Sequence, residues 1–147
     1  MMKKLVLTLA IVCLLLLGTT AAVTAQTWYT ANQRTVAWNA TTTLENGDPL
    51  PSGSTISYDV WLSNAITDPD KTNPVKVATV TDLTYTITLN VEGKYFVGCS
   101  ANRIVDNEIV SSSDVSWSDD PAACENGDTF GLQYFFPPAK PNGMRLP

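Results

Sequence analysis

Thr84-Tyr85-Thr86-Ile87-Thr88-Leu89 and, beyond the turn Asn90-Val91-Glu92-Gly93-Lys94, Tyr95-Phe96-Val97-Gly98-Cys99-Ser100-Ala101 carry the same pattern twice. Successive side chains of a strand point to opposite faces. The first run therefore turns its threonines one way and Tyr85, Ile87 and Leu89 the other. In the second, Tyr95, Val97, Cys99 and Ala101 share a face opposite Phe96, Gly98 and Ser100. Period-two runs separated by a glycine-bearing turn read as consecutive strands, each apolar on one side. A strand of that kind has to be covered, which predicts a layered all-β domain.

The pattern extends in both directions. Ile56-Ser57-Tyr58-Asp59-Val60-Trp61-Leu62 places Ile56, Tyr58, Val60 and Leu62 on one face and Ser57, Asp59 and Trp61 on the other. Val36 and Trp38 alternate within residues 35–40, and Val115 and Trp117 do so in a last strand. Val75 to Val80 and Thr27 to Thr30 complete seven short strands, and between Gln26 and Asp119 no segment has helical periodicity bounded by caps. Residues 44–49, 63–74 and 102–108 are rich in Asn-Gly, Asp-Pro and Asn-Pro steps or in Asn and Asp, and read as turns. Seven such strands predict a sandwich or a barrel, and the chain length favours the sandwich.

The ends set the organisation. Met1-Met2-Lys3-Lys4, thirteen mostly apolar residues from Leu5 to Leu17, and a small, polar stretch ending Val23-Thr24-Ala25 have the layout of a secretory signal peptide cleaved after Ala25. The apolar run is shorter than the ~20 residues of a membrane span, so a retained anchor is the weaker alternative. This divides the chain into a signal peptide (1–25), a β-sandwich (26–120) and a C-terminal tail (121–147), and places the product outside the cell or in the periplasm. Removing residues 1–25 takes two lysines and no acids, leaving seven basic against fourteen acidic side chains, a charge of −7. An acidic surface repels phosphates and anionic lipid, which argues against nucleic acid or membrane partners. Cys13 leaves with the signal peptide, and the remaining Cys99 and Cys124 are either a disulfide or two separate thiols.

The residues now on the page resemble the fibronectin type III family. Trp38, Tyr58 with Val60, and Leu89 with Tyr95 stand, in order and spacing, where that family carries its core tryptophan, its core tyrosine and its tyrosine corner. Leu89-Asn90-Val91-Glu92-Gly93-Lys94-Tyr95 is similar to the family's step from fifth to sixth strand, and Ser111-Ser112-Ser113 to the serines that often open the seventh. The resemblance covers about residues 28–119. It implies a seven-stranded, immunoglobulin-like sandwich in which Trp38, Tyr58, Leu89 and Tyr95 are structural core. The family's proline-rich approach to the first strand is missing, and Cys99 replaces an aliphatic residue.

Chemistry is sparse. With no histidine in the chain, nucleophiles activated by imidazole and histidine-bearing metal sites are excluded, and no glycine-rich phosphate loop is present. Asp68-Pro69-Asp70-Lys71-Thr72-Asn73 alternates oxygen ligands as calcium loops do, but it lacks their glycine and contains a lysine; a solvated loop is the better reading. Asn39-Ala40-Thr41 is a glycosylation sequon placed on an expected core strand. No enzyme, cofactor or metal is expected. The informative signal is apolar residues on the wrong face. Trp61 and Phe96, with Asp59, fall on the outer side of neighbouring strands, and exposed aromatics mark contacts. Phe130, Leu132, Tyr134, Phe135 and Phe136 crowd one short stretch of the tail and call for a sheet edge or a flap over Trp61 and Phe96. The expectation is a non-catalytic module that binds another protein or itself at the cell surface. The alternative is a carbohydrate module stacking sugar on Trp61, Phe96 or Trp28.

Overall fold

The computed structural model describes residues 25–140 and 142, so the expected signal peptide, apart from Ala25, lies outside the described residues. Among the described residues nine strands form: β1 (Thr27–Thr30), β2 (Gln33–Ala37), β3 (Thr55–Asn64), β4 (Val75–Val80), β5 (Thr84–Thr88), β6 (Gly93–Val105), β7 (Glu108–Ser112), β8 (Ser116–Trp117) and β9 (Phe130–Tyr134). The single helical turn among the described residues is a 3₁₀ turn at Glu125–Gly127. One mixed sheet runs β1-β9-β6-β3-β4, with β7 and β8 also on β6, and a second, two-stranded antiparallel sheet pairs β2 with β5. The described residues are all-β apart from that turn, as the alternation predicts.

The two sheets pack through their apolar faces. Val36 from β2 and Ile87 from β5, with Leu89 just beyond, meet Val60, Val97 and Leu132 from β3, β6 and β9. Trp38, Leu62, Tyr85 and Tyr95 pack against this cluster. Burying each aliphatic side chain contributes about 1.5–3 kcal/mol, so six such residues are the main favourable term. Trp38 stands 5.5 Å from Tyr58, whose hydroxyl accepts a 2.9 Å bond from the Thr41 amide. The Tyr95 hydroxyl donates back to the Val91 carbonyl at 3.2 Å, which ties the β5–β6 turn to the strand it feeds.

Two features depart from the expectation of seven strands followed by a tail. The apolar stretch of the tail is β9, which lies inside the large sheet, parallel to β1 and antiparallel to β6. Leu132 at its centre is 1% exposed. The boundary drawn at residue 120 thus cuts through the sheet, and the reason is composition: five large apolar residues in seven are buried at least cost as a strand of the chain's own core. The second departure concerns the last strand. Instead of one continuous run, β7, β8 and β9 lie successively along β6, and residues 119–129 loop out between the last two. Ser118 closes the neck of that loop: its amide donates to the Val97 carbonyl and its carbonyl accepts from the Phe130 amide, both at 2.8 Å.

The expected turn at 102–108 is also tighter than read. β6 continues to Val105 and β7 begins at Glu108, joined only by Asp106 and Asn107, both with positive φ (52° and 66°). Asp and Asn tolerate that conformation better than other non-glycine residues, and its hand matches the twist of a two-residue hairpin.

Candidate functional site

The expected binding residues lie on one face of the large sheet. Trp61 pairs with Gly98 and Ser63 with Phe96, so Trp61, Phe96 and Asp59 share the face of the large sheet turned away from the core. That face is nonetheless closed by its own residues. A Cβ on Gly98 would lie 2.6 Å from Val115 and 2.8 Å from the Trp117 ring, so the Trp117 ring lies against this glycine. Gly131 is covered by Trp28 in the same manner, and Trp28 lies 5.8 Å from the Phe96 ring. Lysines fill the gaps. Lys94 sits 4.9 Å from the Trp28 ring, Lys71 lies 4.7 Å from Phe96 and 5.8 Å from Trp117, and Lys76 is 5.8 Å from Trp61. Lys71 also bonds Asp119 at 2.7 Å, fastening the β3–β4 loop to the looped-out segment. The Trp61 indole donates to Ser100 Oγ at 3.0 Å.

Asp59 belongs to this self-satisfied layer. It is buried, accepts from Thr79 Oγ1 and pairs with Lys76 Nζ at 3.3 Å. Burial pushes its carboxyl up, but the bonds from Thr79 and Lys76, the Lys76 charge and the nearby Asn102 amide outweigh burial and hold it below the usual 3.8. The Asn102 amide nitrogen itself meets no hydrogen-bond geometry. Asp68 is likewise held low: desolvation is offset by Ser63 Oγ and by the amides of Asn73 and Thr72, which donate to its two oxygens. Those oxygens organise their own loop, and the Lys71 ammonium bonds both the Pro69 carbonyl of the loop, at 3.3 Å, and Asp119. Among the described residues no group of three or more His, Cys, Asp or Glu is arranged to hold a metal ion.

Cys99 and Cys124 line one cavity of about 350 Å³ beside the free edge of β2, with Trp38 and Val97 among its walls, yet both are free thiols. The bridge the sequence left open is therefore absent. Cys124 sits in the looped-out segment, where its thiol donates to the Ser118 carbonyl at 3.3 Å. Burial, then the Asp59 charge, pushes Cys99 up to about 11; burial, then Asp120, Asp119 and Asp128, pushes Cys124 up. Neither is a ready nucleophile. Asn39 of the sequon is exposed in the coil after β2, off the core strand expected for it.

The open feature lies on the opposite flank. Among the described residues β4 pairs only with β3, and β5 only with β2, so each keeps one unpaired edge. Between them runs a groove of about 530 Å³ whose apolar lining is Leu62, Leu89, Tyr95, Val75, Val77 and Val91. Val75 and Val91 are 64% and 67% exposed. Edge strands are normally guarded by charge or proline. Here Lys76 is the one charge in β4, and β5 has neither. The chain leaves β9 close to this flank: the Phe136 amide donates to Glu92 beside Val91, and Tyr134 stacks edge-on against Phe136 at 5.2 Å. Phe135, Phe136 and residues 137–140 are exposed.

Of the tail residues named from sequence, Phe130, Leu132 and Tyr134 serve the core, and only Phe135 and Phe136 remain available. Val75, Val77 and Val91 were not singled out. Their signal was present in a valine-rich strand with a single charge and a valine stranded in a polar turn, but it marks a surface only once both edges are known to be unpaired. No family model, no curated protein and no solved structure matches this chain.

Proposed function

We propose that this chain is an exported, non-catalytic module of immunoglobulin-like, fibronectin type III architecture that holds an extended segment of another protein at the cell surface. The observation that carries the reading is the uncovered apolar groove between the unpaired edges of β4 and β5. An extended segment laid there gains backbone partners from an edge and apolar contacts from the valines, the physics of strand addition and of groove recognition. Inward-facing Tyr58 and Leu89, half-buried Trp38 and the Tyr95 hydroxyl bond to Val91 support the architecture. The leader-like residues 1–25 support export.

The carbohydrate reading has less support, because each ring it would use already carries a lysine ammonium. The test is panning of a random peptide library on residues 26–147. Enriched peptides should be apolar or proline-rich, lose binding in Val77→Lys and keep it in Trp61→Ala. If no enriched peptide depends on Val77, the groove reading fails. A glycan-array signal abolished by Trp61→Ala would establish the carbohydrate reading instead.

A further inference from the structure

We infer that the β4–β5 groove receives the exposed C-terminal segment of a second copy, beginning at Phe135, so that copies join tail to groove. The inference rests on the groove reading above and names its occupant. Three observations select it. The segment is apolar and then proline-rich, Phe135-Phe136-Pro137-Pro138-Ala139-Lys140, and it stays exposed on its own molecule. Two consecutive prolines pre-set an extended conformation at low entropic cost, and they offer carbonyl acceptors without competing donors. The groove supplies the complement: apolar residues that include Tyr95, and polar Asn64, Asn90, Thr67 and Thr88.

Charge points the same way. Residues 26–134 hold five basic and fourteen acidic side chains, whereas residues 135–147 hold Lys140 and Arg145 and no acid. Among the described residues Asp68 is the single charged residue lining the groove. A basic tail is therefore attracted to an acidic neighbour's groove, which carries no cation to repel it. The owner's groove is not filled by its own described tail, because Val75 and Val91 stay open while Phe135 and Phe136 face solvent. The tail leaves its own molecule beside Val91 at the rim of the groove, so two copies can exchange tails reciprocally and close into a two-fold dimer.

Sedimentation velocity of residues 26–147 over a concentration series tests this. The intact chain should pass from monomer to dimer as concentration rises. Phe135→Ser/Phe136→Ser, which removes the tail's anchors, and Val77→Lys, which blocks the groove, should each weaken association at least tenfold while remaining folded by circular dichroism. Mixing the two variants should restore one interface only, from the intact tail of one to the intact groove of the other, and so give a dimer weaker than that of the intact chain. A chain that is monomeric throughout overturns the proposal, as does association insensitive to either variant or a mixture that associates no better than either variant alone. If the monomer's β4 amides are protected from hydrogen exchange and lose protection in the Phe135→Ser/Phe136→Ser variant, the occupant is the chain's own tail. Should library peptides still bind the groove while the chain stays monomeric, only the choice of occupant falls; absence of both removes the groove reading too.

Discussion

Truncating Leu132 to alanine tests whether the last strand belongs to the core. Leu132 is 1% exposed and sits with Val36, Val60, Ile87, Leu89 and Val97. Leu132→Ala removes three buried carbons and leaves a cavity that rigid strands on three sides collapse only in part, which costs about 2–5 kcal/mol. A domain of this size has a total stability of about 5–15 kcal/mol, so the change takes a large share of it. In urea, with a slope of about 1–3 kcal/mol per molar, the unfolding midpoint should fall by roughly 1–2 M with the slope unchanged. Phe136→Ala, four residues on and 58% exposed, is the internal control, expected to stay within about 0.5 kcal/mol. If the two variants shift the midpoint equally little, β9 is not in the core, and both the sheet order and the argument from the looped-out segment fail with it.

Gly98→Val places carbon 2.6 Å from Val115 and 2.8 Å from the Trp117 ring; displacing that ring should cost about 1–3 kcal/mol and change the near-ultraviolet dichroism of tryptophan. Asp59 and Asp68 are both depressed in the folded state, so the stability they contribute is complete above the unfolded carboxyl value near 4 and is lost as pH falls through their lower folded values. Thermal midpoints should therefore decline below about pH 4, and Asp59→Asn should flatten that decline while lowering the plateau at neutral pH. Cys99, at about 11 against an ordinary 9.0, should react with iodoacetamide at pH 8 roughly a hundredfold more slowly in the native protein than in denaturant, and non-reducing mass spectrometry should find both thiols alkylated after unfolding. A native rate equal to the denatured one would contradict the burial of that sulfur.

The class of fold was legible because period-two alternation is a local property. Tyr58, Val60, Val97 and Leu89 fell on the inner face by counting alone, and Trp61 and Phe96 on the outer. What a strand's outer face meets is decided by residues distant in sequence, and there the reading ran out. Trp117 and Trp28 cover Gly98 and Gly131, and Lys71 arrives from another loop to join Phe96 and Asp119. No spacing rule links these positions. The placement of Phe130–Tyr134 depended likewise on a parallel partner at the opposite end of the chain, which alternation cannot announce. The groove was the least legible of all, since it is defined by two strands that lack neighbours.

The parallel pairing of β1 with β9 also governs how the molecule bears load. Thr27 lies beside Phe130 and Thr30 beside Gln133, so the chain arrives at one end of this pair and departs from the other. Tension applied between the two ends draws β1 and β9 past each other along their common axis. The bonds from Thr27 to Thr129 and from Ala31 to Gln133, with the ladder between them, are then strained together instead of parting one at a time. A hairpin at the same place would unzip from its open end; this pair has to shear, which is the stiffer response.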